Sequence, residues 1–308
     1  MSEPANRSAV EVLGLTLSSP LVVGSGLLTD QERNIRRLLA KGAGAVVTKT
    51  IHPAPGVLAN ERLLRIPTGM LNSTTYSRRA VDEWCGIINR FAEQALPVIV
   101  SIHARSPEEL GALAEQVVNA GAQALELGIA CMNEDETFED TPDRVYQYTA
   151  QVRARVSVKI SAKLAIGVDT RGRAEAAIFA GADAITLSDT IPGLAVETDS
   201  GQVHLGDAYG YSGPSLKPMV LAEIFALRNA GFDSPILGSG GVQTCDDIVD
   251  YLSVGANVVQ VYTALHRNMY DTLVDLHEGL TSWLDNRGTT PAELFGRSLD
   301  RENHAHAK

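Results

Sequence analysis

The stretch LELGIACMNEDE, residues 125–136, carries the side chain best able to do chemistry, the thiol of Cys131, placed where an apolar run turns polar and acidic. A thiolate is a nucleophile or a proton acceptor, but an ordinary thiol has a pKa of about 8.5, so either role needs nearby positive charge or alkaline pH. The competing reading is a buried structural cysteine, common for this residue type. Lys49, at the end of GAVVTKT, and Lys159, inside VSVKISA, are candidate cations. A lysine in such a run is rarely buried alone, so Lys159 either pairs with a carboxylate such as Glu126 or points at a bound electron-rich group. Ser25, His103, Ser188 and Asp189 close other apolar runs in the same way. Further on, GSGGV (238–242) leads into a helix start near Thr244, and VYTAL (261–265) follows the next run. Glycine-freed amides beside a helix N-terminus suit a phosphate.

The elements that must position these residues are legible in the hydropathy pattern. Eight apolar runs, at 20–26, 44–50, 97–103, 124–130, 156–162, 183–189, 235–241 and 257–263, alternate with longer helical patterns. Near-continuous apolar strands separated by helices indicate a parallel sheet buried on both faces. Eight such units make a single (β/α)8 TIM barrel, with an elongated loop after strand 2 (51–79) and an insertion after strand 6. Active sites of barrels lie at the C-terminal ends of the strands, which is where Cys131, Lys49 and the other polar residues fall. KGAGAVV, NAGAQALEL, FAGADAITL and SVGANVVQV each put Gly-Ala between a helix and the next strand, the place of a left-handed helix cap. The chain 1–308 reads as one domain. Its end, about 300–308, is a flexible polar tail whose two histidines belong to a frayed terminus rather than a metal clip.

Composition narrows the partners. A net charge of −11, from 26 basic and 37 acidic residues, argues against nucleic acid or an anionic membrane and for a small-molecule substrate. Three widely spaced cysteines suit a reducing compartment, and no pair has metal-ligand spacing. The N-terminus MSEPANRSAV has neither the basic flank nor the apolar stretch of a signal or anchor, so the expected location is cytoplasmic.

Motifs in order along the chain then match a known family. VVGSGLL, VVTKT, GMLNS (69–73), ELGIACMN, VKIS, YSGPSLKP (211–218), GSGGV and QVYTALH resemble the dihydroorotate dehydrogenase family of FMN-dependent barrels, in its soluble, cysteine-base branch. The likeness runs from about Leu15 to about His266. It implies FMN as cofactor, Cys131 as general base or acid, and Asn72 and Asn133 as substrate-binding asparagines, with Thr74, Tyr76 and Ser188 or Asp189 in the same pocket. It implies flavin contacts at Gly24, Ser25, Lys49, Thr50, Lys159, Ser212 and Gly213, and a phosphate grip at Gly238, Gly240, Gly241, Tyr262 and Thr263. The soluble branch also implies a homodimer. With no dinucleotide fingerprint and no iron–sulfur cysteine cluster in the sequence, use of NAD would require a partner subunit or another electron route, and a separate electron acceptor or partner subunit is the expectation.

Departures from the pattern concern the substrate. The family loop N-x-S-C-P-N reads GIACMN, so Gly128, Ala130 and Met132 replace asparagine, serine and proline. Losing an amide that both donates and accepts removes specific polar recognition. The 51–79 loop carries Arg62, Arg65, Arg78 and Arg79, whose forks suit a carboxylate or phosphate. The expected activity is an FMN-dependent oxidation or reduction of a CH–CH bond next to a carbonyl, on a substrate other than dihydroorotate. The alternatives are an authentic dihydroorotate dehydrogenase of pyrimidine biosynthesis, a flavin-free barrel lyase or isomerase, and a non-catalytic flavoprotein subunit.

Overall fold

The computed structural model describes residues 7–54, 61–131, 133 and 140–299. Met132 and the 300–308 tail therefore lie outside the described residues. Eight parallel strands close a barrel: β1 Leu21–Val23, β2 Ala45–Val47, β3 Val98–Ile102, β4 Ala124–Gly128, β5 Lys159–Leu164, β6 Ala184–Leu187, β7 Ile236–Ser239 and β8 Val258–Val261, with β8 pairing back to β1. A helix follows each strand: α1 Glu32–Ala40, α2 Val81–Glu93, α3 Pro107–Asn119, α4 Pro142–Arg153, α5 Thr170–Phe179, α6 Lys217–Asn229, α7 Cys245–Ser253 and α8 Met269–Arg287. This is the expected (β/α)8 barrel.

The repeated Gly-Ala ends four of the helices as read. Gly42, Gly121, Gly181 and Gly255 have φ of 101°, 110°, 103° and 101°. In each case the following alanine N–H reaches back to the carbonyl five residues earlier, Ala43 to Leu38 and Ala122 to Val117 for example, the Schellman arrangement that glycine permits. Helix starts are capped by side chains: Ser106 for α3, Thr141 for α4, Asp169 for α5 and Thr244 for α7. Outside the barrel the helices lay apolar stripes on the strands, as α2 does with Trp84, Ile87, Ile88 and Phe91.

The lumen is layered, as strand alternation requires. Its lower part is apolar, with Val22, Ala45, Ile99, Ala124, Ala184, Leu237 and Val258, and the N-terminal hairpin Val10–Val12/Leu15–Leu17 plugs it from below. Two residues further along the strands the inward positions turn polar: Ser101, Glu126, Ser161, Thr186 and Gln260, all buried. The strand ends above them open to a cavity. Over this end lies a four-stranded antiparallel sheet, in the order Ile191–Gly193, Tyr209–Ser212, Gly69–Asn72, Leu63–Ile66. It is built from the elongated loop after β2 and the insertion after β6, both foreseen as loops rather than as one shared sheet.

Candidate active site

A cavity of about 670 Å³ occupies the C-terminal end of the barrel. Of the residues singled out in the sequence, Gly24, Ser25, Lys49, Thr50, Asn72, Thr74, Tyr76, Cys131, Asn133, Ser188, Asp189, Ser212, Gly240, Gly241, Tyr262 and Thr263 line it. Lys159, Gly213 and Gly238 do not.

Lys159 is the main correction. It is the first residue of β5, level with Ala124 in the bottom layer, and its ammonium reaches out to Asp183 at 2.6 Å while half exposed. The lysine that faces the cavity is Lys163, four residues on and level with Gly128, because β5 runs to Leu164 rather than stopping at Ala162. The VKIS likeness hid this: four residues along a strand keep the same face but climb about 13 Å. Lys163 Nζ lies 3.6 Å from Glu126 Oε1 and 3.9 Å from Asp189 Oδ1. Burial works against its charge, but Asp189 and Glu126 outweigh that and hold its pKa above the ordinary lysine value. Glu126, named above as a partner for Lys159, thus pairs with the other lysine.

Glu126 anchors the polar layer beneath the cavity. Its Oε2 accepts from Thr186 Oγ1 at 2.9 Å and Gln260 Nε2 at 2.7 Å. Thr186 spends its single proton there, so Ser161, 2.9 Å away, must donate to Thr186. Among the described residues, Glu126 Oε1 accepts no hydrogen bond and has only the Lys163 charge beside it.

On the opposite wall, Lys49 is 4% exposed and makes no ion pair among the described residues. Burial pushes its pKa down, against the pull of Glu61, Cys131 and Asp30. Cys131 therefore shares its surroundings with a desolvated cation. Ser25, Thr50 and Ser101 form a hydroxyl chain beside it, with spacings of 3.2 and 3.0 Å.

The asparagines expected on the substrate side are tied to one another and to the covering sheet. Asn133 Nδ2 donates to Asn72 Oδ1 at 3.1 Å and Thr74 O at 2.8 Å, while its Oδ1 accepts from Gly210 N at 3.0 Å. Asn72 Nδ2 donates to Gly210 O at 3.0 Å, and its Oδ1 also accepts from Thr74 Oγ1 at 2.9 Å. The two amides spend most of their capacity binding the loop after β4 to the covering sheet. At Gly128 the missing side chain is answered by His103, whose Nδ1 lies 2.7 Å from Gly128 O. A carbonyl only accepts, so Nδ1 carries the proton. The His103 ring stacks on Tyr76 at 4.8 Å, and Tyr76 on His52 at 4.5 Å, an aromatic wall in place of amides. None of the loop arginines lines the cavity: Arg62 donates to Leu205 O, Arg65 to His266 O, Arg78 pairs with Glu61, and Arg79 with Glu83 and Asp30 O.

The glycine-rich end fits an anion. Gly240 and Gly241 have φ of 127° and 74°, and among the described residues the N–H groups of Gly240, Gly241 and Val242 make no hydrogen bond. A Cβ on Gly241 would lie 2.9 Å from Gly213 O and Lys217 N. Gly213 stands behind the cradle, where a Cβ would meet Gly69 Cα at 2.5 Å. Gly238 leaves room for Tyr251, whose hydroxyl donates to Gly240 O at 2.6 Å, so both shape the turn from outside the cavity. Just before α7, Asp247 Oδ2 accepts from Gln243 N and Thr244 N at 2.7 and 2.8 Å, and Thr244 Oγ1 accepts from Asp247 N in return. The glycine turn, and not the start of α7, lines the cavity. Thr263 closes its other side, donating to Ser212 Oγ at 2.8 Å.

A closed (β/α)8 barrel with two buried lysines, a cysteine and a glycine-rich anion cradle around one cavity is the architecture of a cofactor-dependent barrel enzyme. Residues 7–284 match the family model described as dihydroorotate dehydrogenase. Among curated proteins, the chain is 30% identical over 300 residues to the dihydroorotate dehydrogenase B (NAD(+)) catalytic subunit of Pyrococcus abyssi, covering 94% of this chain and 98% of that one. It is 31% identical to the catalytic subunits of the same name from Pyrococcus furiosus, over 93% of this chain and 97% of that one, and Methanocella arvoryzae, over 92% and 95%. The chain belongs to the dihydroorotate dehydrogenase family, and with it to the FMN-dependent oxidoreductases that act on a CH–CH bond. Among the described residues, no helix is long and apolar enough to cross a membrane.

Proposed function

We propose that this protein interconverts a saturated and an unsaturated bond next to an amide-type carbonyl, with FMN held on the glycine cradle and Cys131 as the proton acceptor or donor, and that its substrate is not dihydroorotate. The observation that carries the reading is the convergence of Cys131, Lys49 and Lys163 on one cavity that ends in three unused backbone amides. The amides of Gly240, Gly241 and Val242 with Thr263 would hold the phosphate, and Lys163 and Lys49 the electron-rich ring. Bound FMN supplies the acceptor or donor of a hydride. Cys131 removes the proton from the carbon next to the carbonyl, or returns it in the reverse direction. Lys49 favours the thiolate through its charge. Lys163, kept protonated by Glu126 and Asp189, presents a fixed donor rather than a net positive charge, because two carboxylates face it.

The rebuilt substrate wall supports a different substrate. Gly128 offers no amide, Asn72 and Asn133 are engaged with each other and with Gly210, and His103 and Tyr76 present ring faces. Ser188 and Asp189 also line the cavity, and the Asp189 carboxylate offers acceptors only. A flat, uncharged ring suits such a wall better than the carboxylate of dihydroorotate.

Electron exchange through a separate partner subunit, a homodimeric assembly and a cytoplasmic location belong to the same reading. The catalytic-subunit names of the relatives support the partner subunit, the sparse free cysteines support the reducing compartment, and the homodimer rests on the family resemblance alone. The test is a Cys131→Ala variant that keeps its FMN. Hydride exchange with any substrate found should fall by about 10²-fold or more, as for loss of a general base. Retention of full activity would overturn the assignment of Cys131.

A further inference from the structure

The cavity includes a corner at the starts of α4 and α5, lined by Asp140, Gly167, Asp169 and Arg173. Arg173 is 5% exposed, yet its guanidinium makes only two long hydrogen bonds, Nε to Asp169 O and Nη1 to Asp140 Oδ2, both at 3.4 Å. Its Nη2 makes none among the described residues. Asp140 is equally short of partners: among the described residues its buried Oδ1 has no hydrogen bond. Buried polar atoms are normally satisfied, and leaving a charged pair incomplete is costly. A cation with spare donors and a carboxylate with a spare acceptor, side by side on a cavity wall, make a complementary pair for a ligand.

The charges around them decide which ligand. Asp140 is faced by Arg173 on α5, Arg144 on α4 and Asp189 at the end of β6. Burial and Asp189 raise its pKa to about 6, against the two arginines. Asp189 itself leans on Lys163 at 3.9 Å. A carboxylate ligand placed on Arg173 brings no donor and would leave the buried Asp140 Oδ1 unsatisfied. A neutral group with an N–H next to a C=O satisfies both, because its N–H can donate to Asp140 Oδ1 while its oxygen accepts from Arg173 Nη2.

We propose that Arg173 and Asp140 form a subsite that reads the amide edge of the substrate, selecting a neutral cyclic amide or ureide over a carboxylic acid. The proposal rests on the catalytic reading above for the identity of the cavity as the substrate site. It explains how specificity survives when the asparagine amides are spent elsewhere. The ionised form of Asp140 is the one that accepts the N–H, so binding strengthens as pH rises through the range in which Asp140 loses its proton.

The test is calorimetric titration of the FMN-loaded protein with 5,6-dihydrouracil, a neutral ring with N–H beside C=O, and with fumarate, a dicarboxylate without N–H. Dihydrouracil should bind, about tenfold or more weakly in Arg173→Met, the scale of one hydrogen bond to a charged group. Its affinity should tighten between about pH 5 and pH 7 in the parent and be flat in the isosteric Asp140→Asn, a signature that a merely structural role would not give. Fumarate should not bind. Equal dihydrouracil affinity in parent and Arg173→Met, a pH profile unchanged in Asp140→Asn, fumarate binding lost in Arg173→Met, or no heat from either probe would each overturn the proposal. FMN content is read separately by absorbance, so a protein that holds no flavin would count against the catalytic reading and leave the calorimetric result on the corner intact.

Discussion

Removing Lys163 and removing Lys159 should have opposite consequences, and the difference follows from where β5 puts them. Lys163→Met leaves Glu126, 0% exposed, with an Oε1 that already accepts no hydrogen bond and now has no cation. Breaking a buried pair from one side costs about 3–5 kcal/mol, because the abandoned charge stays desolvated. Adding Glu126→Gln should return most of it, since both members of the pair are then gone. Lys159→Met removes a half-exposed bond to Asp183, which also pairs with Arg153 at 2.6 Å. Its cost should lie within about 1 kcal/mol. Urea denaturation at matched pH measures all four proteins, and flavin content after gel filtration adds a functional readout that only Lys163→Met should lower. A Lys159→Met variant as damaging as Lys163→Met, or a double variant no better than the single one, would refute the reasoning.

Three further outcomes are expected. Because Asp140 carries a pKa of about 6 in the folded protein against an ordinary 3.8, its ionised form opposes folding at pH above about 6 and not below about 4. Asp140→Asn should therefore raise stability by up to about 3 kcal/mol near pH 8 and by nothing near pH 4, read as the thermal midpoint at each pH. Gly241→Ala, at φ 74° with its Cβ 2.9 Å from Gly213 O, should cost about 1 kcal/mol or more and release FMN on gel filtration. Gly128→Asn alone should not create turnover of dihydroorotate: a Cβ at position 128 fits, in ordinary contact with His103 Cβ at 3.6 Å, but the His103 and Tyr76 ring faces remain beside it. A steady-state assay that finds such turnover would show the His103 wall to be irrelevant.

Much of the barrel was legible in the sequence because eight buried parallel strands must read as apolar runs and because Gly-Ala caps recur between helix and strand. Cys131 was legible for the same reason: a polar residue just past an apolar run lies at the strand end. Lys159 was misjudged since periodicity gives a side chain's face but not its height, and a motif likeness of four residues outweighed the strand's true end at Leu164. Arg173 and Asp140 carried no local signal at all. One sits within a helix of low amphipathicity and the other before a helix cap, and only the closure of the barrel brings them to one corner. The loop arginines looked like substrate forks for want of knowing that the loop folds as a sheet, whose edges and turns use them.

The most direct test of the central claim is an anaerobic absorbance titration of the purified protein, first with L-dihydroorotate and then with dithionite. A family flavoenzyme with a rebuilt substrate wall should be yellow, keep its flavin band through the dihydroorotate additions, and bleach with dithionite. A colourless protein that cannot be loaded with FMN, or a flavin band that collapses at once on adding dihydroorotate, would contradict it.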